Sequence, residues 1–193
     1  MIPEPIKKFI DIFSSLPSIG PRQATRLAFY ITNLGKSQIY DLAKSIADLQ
    51  QLKTCSNCFF INNGSCPICC NSNRKINTVC VIEKETDLIS IERAKKYNGV
   101  YLVLGELNKT GSLSPDQKLK LKSLKTRAPL EEIILAINPT AYGDLNAALI
   151  LQEIKPFARK ITRLGRGIPT GGEIEFPDPD TQPGPIDKRK KLK

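Results

Sequence analysis

A chain of 193 residues, 40% hydrophobic and 25% charged, is long enough for one medium domain or two small ones whose core needs no staples. Lys and Arg outnumber Asp and Glu by 29 to 19, a formal net charge of +10 that directs attention to polyanions such as nucleic acid, although charge alone fixes no partner. There is no His and no Trp, which excludes Ser-His-Asp and Cys-His catalysis and any His-ligated metal; an enzyme would have to work through carboxylates, Lys, Tyr or Cys.

The opening segment, "MIPEPIKKFIDIF", sets prolines and charges where a signal peptide needs an unbroken apolar stretch. No apolar run approaches the roughly 18–20 residues of a membrane span. The expectation is a cytoplasmic protein with reduced thiols and no membrane contact. Ile6, Phe9, Ile10 and Phe13 recur at helical spacing, as do Ala24, Leu27, Ala28 and Ile31, so each segment predicts a helix with one apolar stripe. Between them lies "LPSIGPR", with Gly20 suited to a tight turn and Pro21 to the first position of a helix. A third helix is predicted from about Gln38 to Leu52, with Ile39, Leu42, Ala43 and Ile46 on its stripe.

Then comes "CSNCFFINNGSCPICC". Cys55, Cys58, Cys66 and Cys69 form two C-x2-C pairs separated by seven residues, with Asn62 to Ser65 as the turn between them. A two-residue gap lets both thiolates of a pair turn onto one ion, and two such pairs complete a tetrahedral site. A redox pair or ordinary buried thiols are the plainer readings of a single pair; two pairs in a reduced compartment predict one structural Zn²⁺ in a compact knuckle. All four positions are filled by protein, so no catalytic role is expected of it. Cys70 is left over, and Cys80 reads as a small core residue.

From Thr78 the rhythm changes. "TVCVI", "VYLVL" and "IILAI" are short β-rich runs, alternating with helical stretches at 85–96, 115–125 and 142–154 and followed by a strand at 160–164. That alternation predicts a mostly parallel α/β sheet. After Gly165 the chain is rich in Gly, Pro and Asp and ends in "DKRKKLK".

Two further sets of residues carry chemistry. Arg22 and Arg26 lie one turn apart on the helix opened by Gly20, where free backbone N–H groups and guanidinium groups suit phosphates. The same segment is equally well an αα-hairpin with a solvated basic face. Glu83 follows the first β-run and Asp144 the third, outside the carboxyl ends of strands where α/β sheets hold ligands. Together they have the oxygen chemistry for one Mg²⁺, but Asp and Glu at such positions also cap helices, which is the preferred reading.

With these residues in hand, the chain resembles the bacterial RecR family of recombination mediators, nearly end to end. The resemblance rests on the ordered set "LPSIGPRQATRLAFYI", the four cysteines, "VCVIEKETDLISIE", "YNGVYLVLG", "ILAINPTAYGD" and "TRLGRGIPTGGEIEFPDPDT". It implies a helix-hairpin-helix region at 1–53, a four-cysteine zinc knuckle at 54–76, a Toprim-like α/β domain at 77–165 and a C-terminal extension at 166–193. It also implies a non-enzymatic, nucleoid-associated DNA-binding protein of recombinational repair. Such a protein works with RecO and RecF to load RecA onto single-stranded DNA, as a dimer or ring-like tetramer. By motif, Arg22 and Arg26 match DNA contacts, Cys55, Cys58, Cys66 and Cys69 match zinc ligands, and Glu83 and Asp144 match acidic Toprim positions on the partner surface. The chain departs from the family in three places: Ser18 stands for a hairpin glycine, "ELNKTGSLSP" replaces a Pro- and Gly-rich loop, and Tyr142 replaces an acidic residue.

Overall fold

The structure, a computed structural model, describes residues 2–165. The C-terminal extension and basic tail at 166–193 lie outside the described residues. The described residues divide into two compact units, with the boundary between Leu52 and Lys53.

The first unit is helical: α1 (Glu4–Ser14), α2 (Pro21–Thr32) and α3 (Lys36–Asp48), the last running into a 3-10 turn (Leu49–Gln51). α1 packs on α2. Ala24 and Ala28 are buried on α2, and their small side chains let the helices approach closely. From α1, Phe9 and Phe13 stack at 3.9 Å between ring centroids. The α2 start follows its residues: Pro21 occupies the first position, and the Gly20 N–H donates to Gln23 Oε1 at 3.2 Å. Just before it, Ser18 sits at φ +64°, in the left-handed region that favours glycine. Leu27, expected on the buried stripe, is instead exposed. The α3 stripe is exposed as well, with Ile39 at 36%, Leu42 at 39% and Ile46 at 50%, and so is Leu49 of the following 3-10 turn at 63%.

The second unit opens with a two-stranded antiparallel hairpin, β1 (Lys53–Thr54) and β2 (Ile61–Asn62), which frames the first cysteine pair. A parallel sheet follows, built from β3 (Lys75–Ile82), β4 (Gly99–Val103), β5 (Leu130–Ala136) and β6 (Ala158–Arg163) in the order β4-β3-β5-β6. The connections carry α4 (Glu85–Arg93), α5 (Pro115–Lys122) and α6 (Ala141–Ile154), so the expected βα alternation is present with all described pairings of this sheet parallel. α4 and α5 end earlier than the sequence pattern indicates, whereas α6 ends at Ile154 as expected. α4 stops at Arg93, before Lys95 at φ +51°, and α5 gives way to a 3-10 turn at Ser123–Arg127. Val79, Val81 and Ile82 on the inner strand β3, and Tyr101 and Leu102 on β4, are fully buried, which accounts for their uninterrupted apolar runs.

The cysteine segment packs against this sheet. Cys58, Cys66 and Ile68 belong to the same buried cluster as the strands. Val103 N, on the edge strand β4, donates to the Cys58 carbonyl at 2.9 Å, so the knuckle caps an edge that would otherwise be open to pairing. Arg127 donates from Nη2 to the Asn57 carbonyl, and the Lys120 ammonium lies 5.4 Å from the Phe59 ring centroid. Arg74, just after the knuckle, is held by Glu92 of α4 in a two-pronged pair, Nη1 to Oε1 at 3.0 Å and Nη2 to Oε2 at 2.5 Å. The Tyr101 hydroxyl donates to Glu92 at 2.6 Å, and Arg74 also donates to the Gly99 carbonyl at 2.9 Å.

Candidate metal centre and nucleic-acid interface

The four cysteines expected to act together do come together. The Sγ atoms of Cys55, Cys58, Cys66 and Cys69 all lie within 4.8 Å of one another, and Cys58 and Cys66 are 3.5 Å apart. A tetrahedral four-thiolate site with bonds of about 2.3 Å puts its sulfurs roughly 3.8 Å apart, so this set can hold one metal ion with little movement. Among the described residues it is the one cluster of three or more His, Cys, Asp or Glu with metal-holding geometry. Backbone geometry supports it: Asn57 N donates to Cys55 Sγ and Cys69 N to Cys66 Sγ, each at 3.4 Å. Phe59, at φ +61°, turns the chain back after the first pair.

The thiols do not ionise alike. Burial works to raise Cys55, but the N–H groups of Cys58 and Asn57 outweigh it and bring the thiol down to about 7. Cys58 is pushed up by its hydrogen bond with Cys69 and by burial, and Cys66 is pushed up chiefly by burial. Four thiolates crowded this closely, two of them buried, need a cation, and such a cation has to displace protons from Cys58 and Cys66. Cys70 is exposed and outside the set, whereas burial lifts Cys80 to about 12 and leaves it an inert core thiol.

Of the two acidic positions, Glu83 departs from the capping expectation and Asp144 follows it. Glu83 is 2% exposed and caps no helix; Lys84 is the N-cap of α4. Its Oε1 accepts from Leu107 N at 3.1 Å and its Oε2 from Asn138 Nδ2 at 3.2 Å. One carboxyl thus ties the loops after β4 and β5 to the end of β3, at the point where the strand order reverses. Asp144 does lie in the first turn of α6, as the capping reading expects, and its Oδ1 is 2.6 Å from Arg163 Nη2 on β6. The helix itself is capped by Thr140, whose Oγ1 accepts from Gly143 N at 3.1 Å. A side chain at Gly143 would collide with the Asn138 carbonyl.

The loop "ELNKTGSLSP" is knitted into this region rather than open. Asn108 Oδ1 accepts from the Thr110 N–H and hydroxyl, and the buried Asn146 donates to the Asn108 carbonyl at 2.8 Å. Asn146, the Arg74–Glu92 pair and the Arg127 contact were not singled out from the sequence. Each bridges residues far apart in the chain, and none forms a local pattern.

Arg22 and Arg26 both lie exposed on α2, and neither has an ion pair among the described residues. α2 itself has no acidic residue. Gln23, Arg26, Leu27 and Tyr30 line a shallow concavity of about 520 Å³ on one side of it. No helix among the described residues is long and apolar enough to cross a membrane.

Residues 77–165 match the Toprim domain family, and residues 6–49 match the family described as RecR, helix-hairpin-helix. The chain is 38% identical over 182 residues to recombination protein RecR of Herpetosiphon aurantiacus, covering 91% of this chain and 89% of that protein. It is 36% identical over 202 aligned residues to recombination protein RecR of Chloroflexus aurantiacus, covering 100% of this chain and 97% of that protein. The recombination protein RecR of Chloroflexus aggregans matches at 36%, covering 100% and 96%. These matches run through the hairpin, the cysteines and the parallel sheet alike: the chain belongs to the RecR family.

Proposed function

We propose that the protein is a non-enzymatic, zinc-containing DNA-binding mediator of recombinational repair. In this reading it acts in the cytoplasm at the nucleoid, as a dimer or ring-like clamp that works with RecO and RecF to help load RecA onto single-stranded DNA. The observation that carries the reading is the pair Arg22 and Arg26, exposed and without an ion pair among the described residues, on a helix opened by a glycine turn. The exposed stripe of α3 supports self-association, because a helix face of Ile39, Leu42 and Ile46 is costly to leave in water. Four thiolates with no oxygen or nitrogen ligand favour zinc over harder cations. The division of labour follows the chain: DNA contact at 1–53, the knuckle at 54–76, partner contact through the Toprim-like part at 77–165, and further subunit contact at 166–193.

The rival reading is a Mg²⁺-dependent Toprim enzyme using Glu83 and Asp144. Both carboxyls already have protein partners, Glu83 with two N–H donors and Asp144 with Arg163, which favours the mediator. The test is RecA-dependent ATP hydrolysis on single-stranded DNA coated with single-strand-binding protein. Adding this protein with RecO is expected to shorten the lag, and Arg22→Glu/Arg26→Glu to abolish the effect. Mg²⁺-dependent nicking or primer synthesis lost in Glu83→Ala would establish the enzyme instead.

A further inference from the structure

Tyr30 is 65% exposed, and its hydroxyl has no hydrogen-bond partner among the described residues. It stands one turn beyond Arg26 on α2, and both line the same concavity with Leu27 and Gln23. The surface therefore joins an exposed aromatic face, an apolar floor and an exposed guanidinium. Such pairing meets the two chemistries of a single nucleotide, a flat base and a charged phosphate. A second copy of this chain fits it less well, since a two-fold contact there would bring one Arg26 towards another with no acidic residue of α2 to answer them.

We propose that Tyr30 is a stacking platform for a base of single-stranded DNA whose phosphate is held by Arg26. The proposal rests on the reading of α2 as the DNA contact and adds to it a preference for unpaired strands. Stacking on one aromatic ring strengthens binding to a base-bearing strand by roughly tenfold. Duplex DNA, whose bases are already stacked on each other, gains nothing from the ring.

The test compares two oligothymidylates of equal length and charge, one intact and one with its bases replaced by abasic sugars. Affinities of the full-length protein are measured by anisotropy across a range of salt. The wild type is expected to bind the intact strand roughly tenfold more tightly. Tyr30→Ala binds both strands equally with an unchanged salt slope, and Tyr30→Phe keeps the preference. Because the chain has no Trp, Tyr30→Trp adds a single indole, whose emission the intact strand should quench and the abasic strand should not. Equal wild-type affinity for the two strands, with a steep salt slope, overturns the platform but leaves the arginine contacts standing. Absent or salt-independent binding of both strands overturns the two together. A Tyr30→Ala protein that keeps the full preference, or that loses subunits in light scattering, also overturns the platform.

Discussion

Single residues carry two kinds of information here. The cysteines were legible because a ligand knuckle is a local device: spacing alone brings Cys55 to Cys58 and Cys66 to Cys69. The Arg74–Glu92–Tyr101 cluster was not, because its members meet only when β4 and α4 pack. The Arg74 guanidinium, against the opposing effect of burial and with help from the Tyr101 hydroxyl, holds the Glu92 carboxyl below its ordinary value of 4.5. The pair therefore contributes its full stability above that value and loses it as pH falls towards the native pKa of Glu92. Glu92→Gln should cost about 2 kcal/mol at pH 7, with a smaller difference from wild type at pH 3, measured by urea unfolding. A cost independent of pH would assign the effect to packing. Ser18 is a simpler case. It occupies a glycine backbone at φ +64°, so Ser18→Gly should raise the stability of the helical unit by about 1 kcal/mol, read as a higher midpoint of thermal unfolding.

At the scale of elements, the alternation of β-runs and helices was enough to give a parallel sheet, since strands buried on both faces are uniformly apolar. What it could not give was the role of Glu83, which the sequence reading had as a helix cap or a metal ligand. The buried carboxyl instead satisfies Leu107 N and Asn138 Nδ2 from two other loops. Glu83→Ala leaves both donors without that acceptor and should cost about 2–4 kcal/mol, while DNA affinity stays unchanged. The knuckle was legible as a metal site but not as a cover for β4, which depends on the Cys58 carbonyl meeting Val103 N. Cys58→Ser is expected to lose the metal and expose that edge, with one equivalent of zinc in the wild type and none in the variant by colorimetric titration. Cys70→Ser should retain the full equivalent, since Cys70 lies outside the cluster.

The whole molecule combines a helical unit, rich in exposed apolar side chains, with an α/β unit braced by four cysteines. The α3 stripe was legible as a helix face but not as an exposed one, because periodicity records which side is apolar and not what covers it. If that face joins copies of the chain, Leu42→Glu/Ile46→Glu should lower the mass seen by light scattering towards the monomer. The central claim is that Arg22 and Arg26 contact DNA phosphates. Its most direct test is the dependence of DNA affinity on salt, for the wild type and for Arg22→Glu/Arg26→Glu. Phosphate contacts predict a log–log slope that flattens by roughly one per arginine, with weaker binding at every salt concentration. An unchanged slope and affinity in the double variant would contradict the claim.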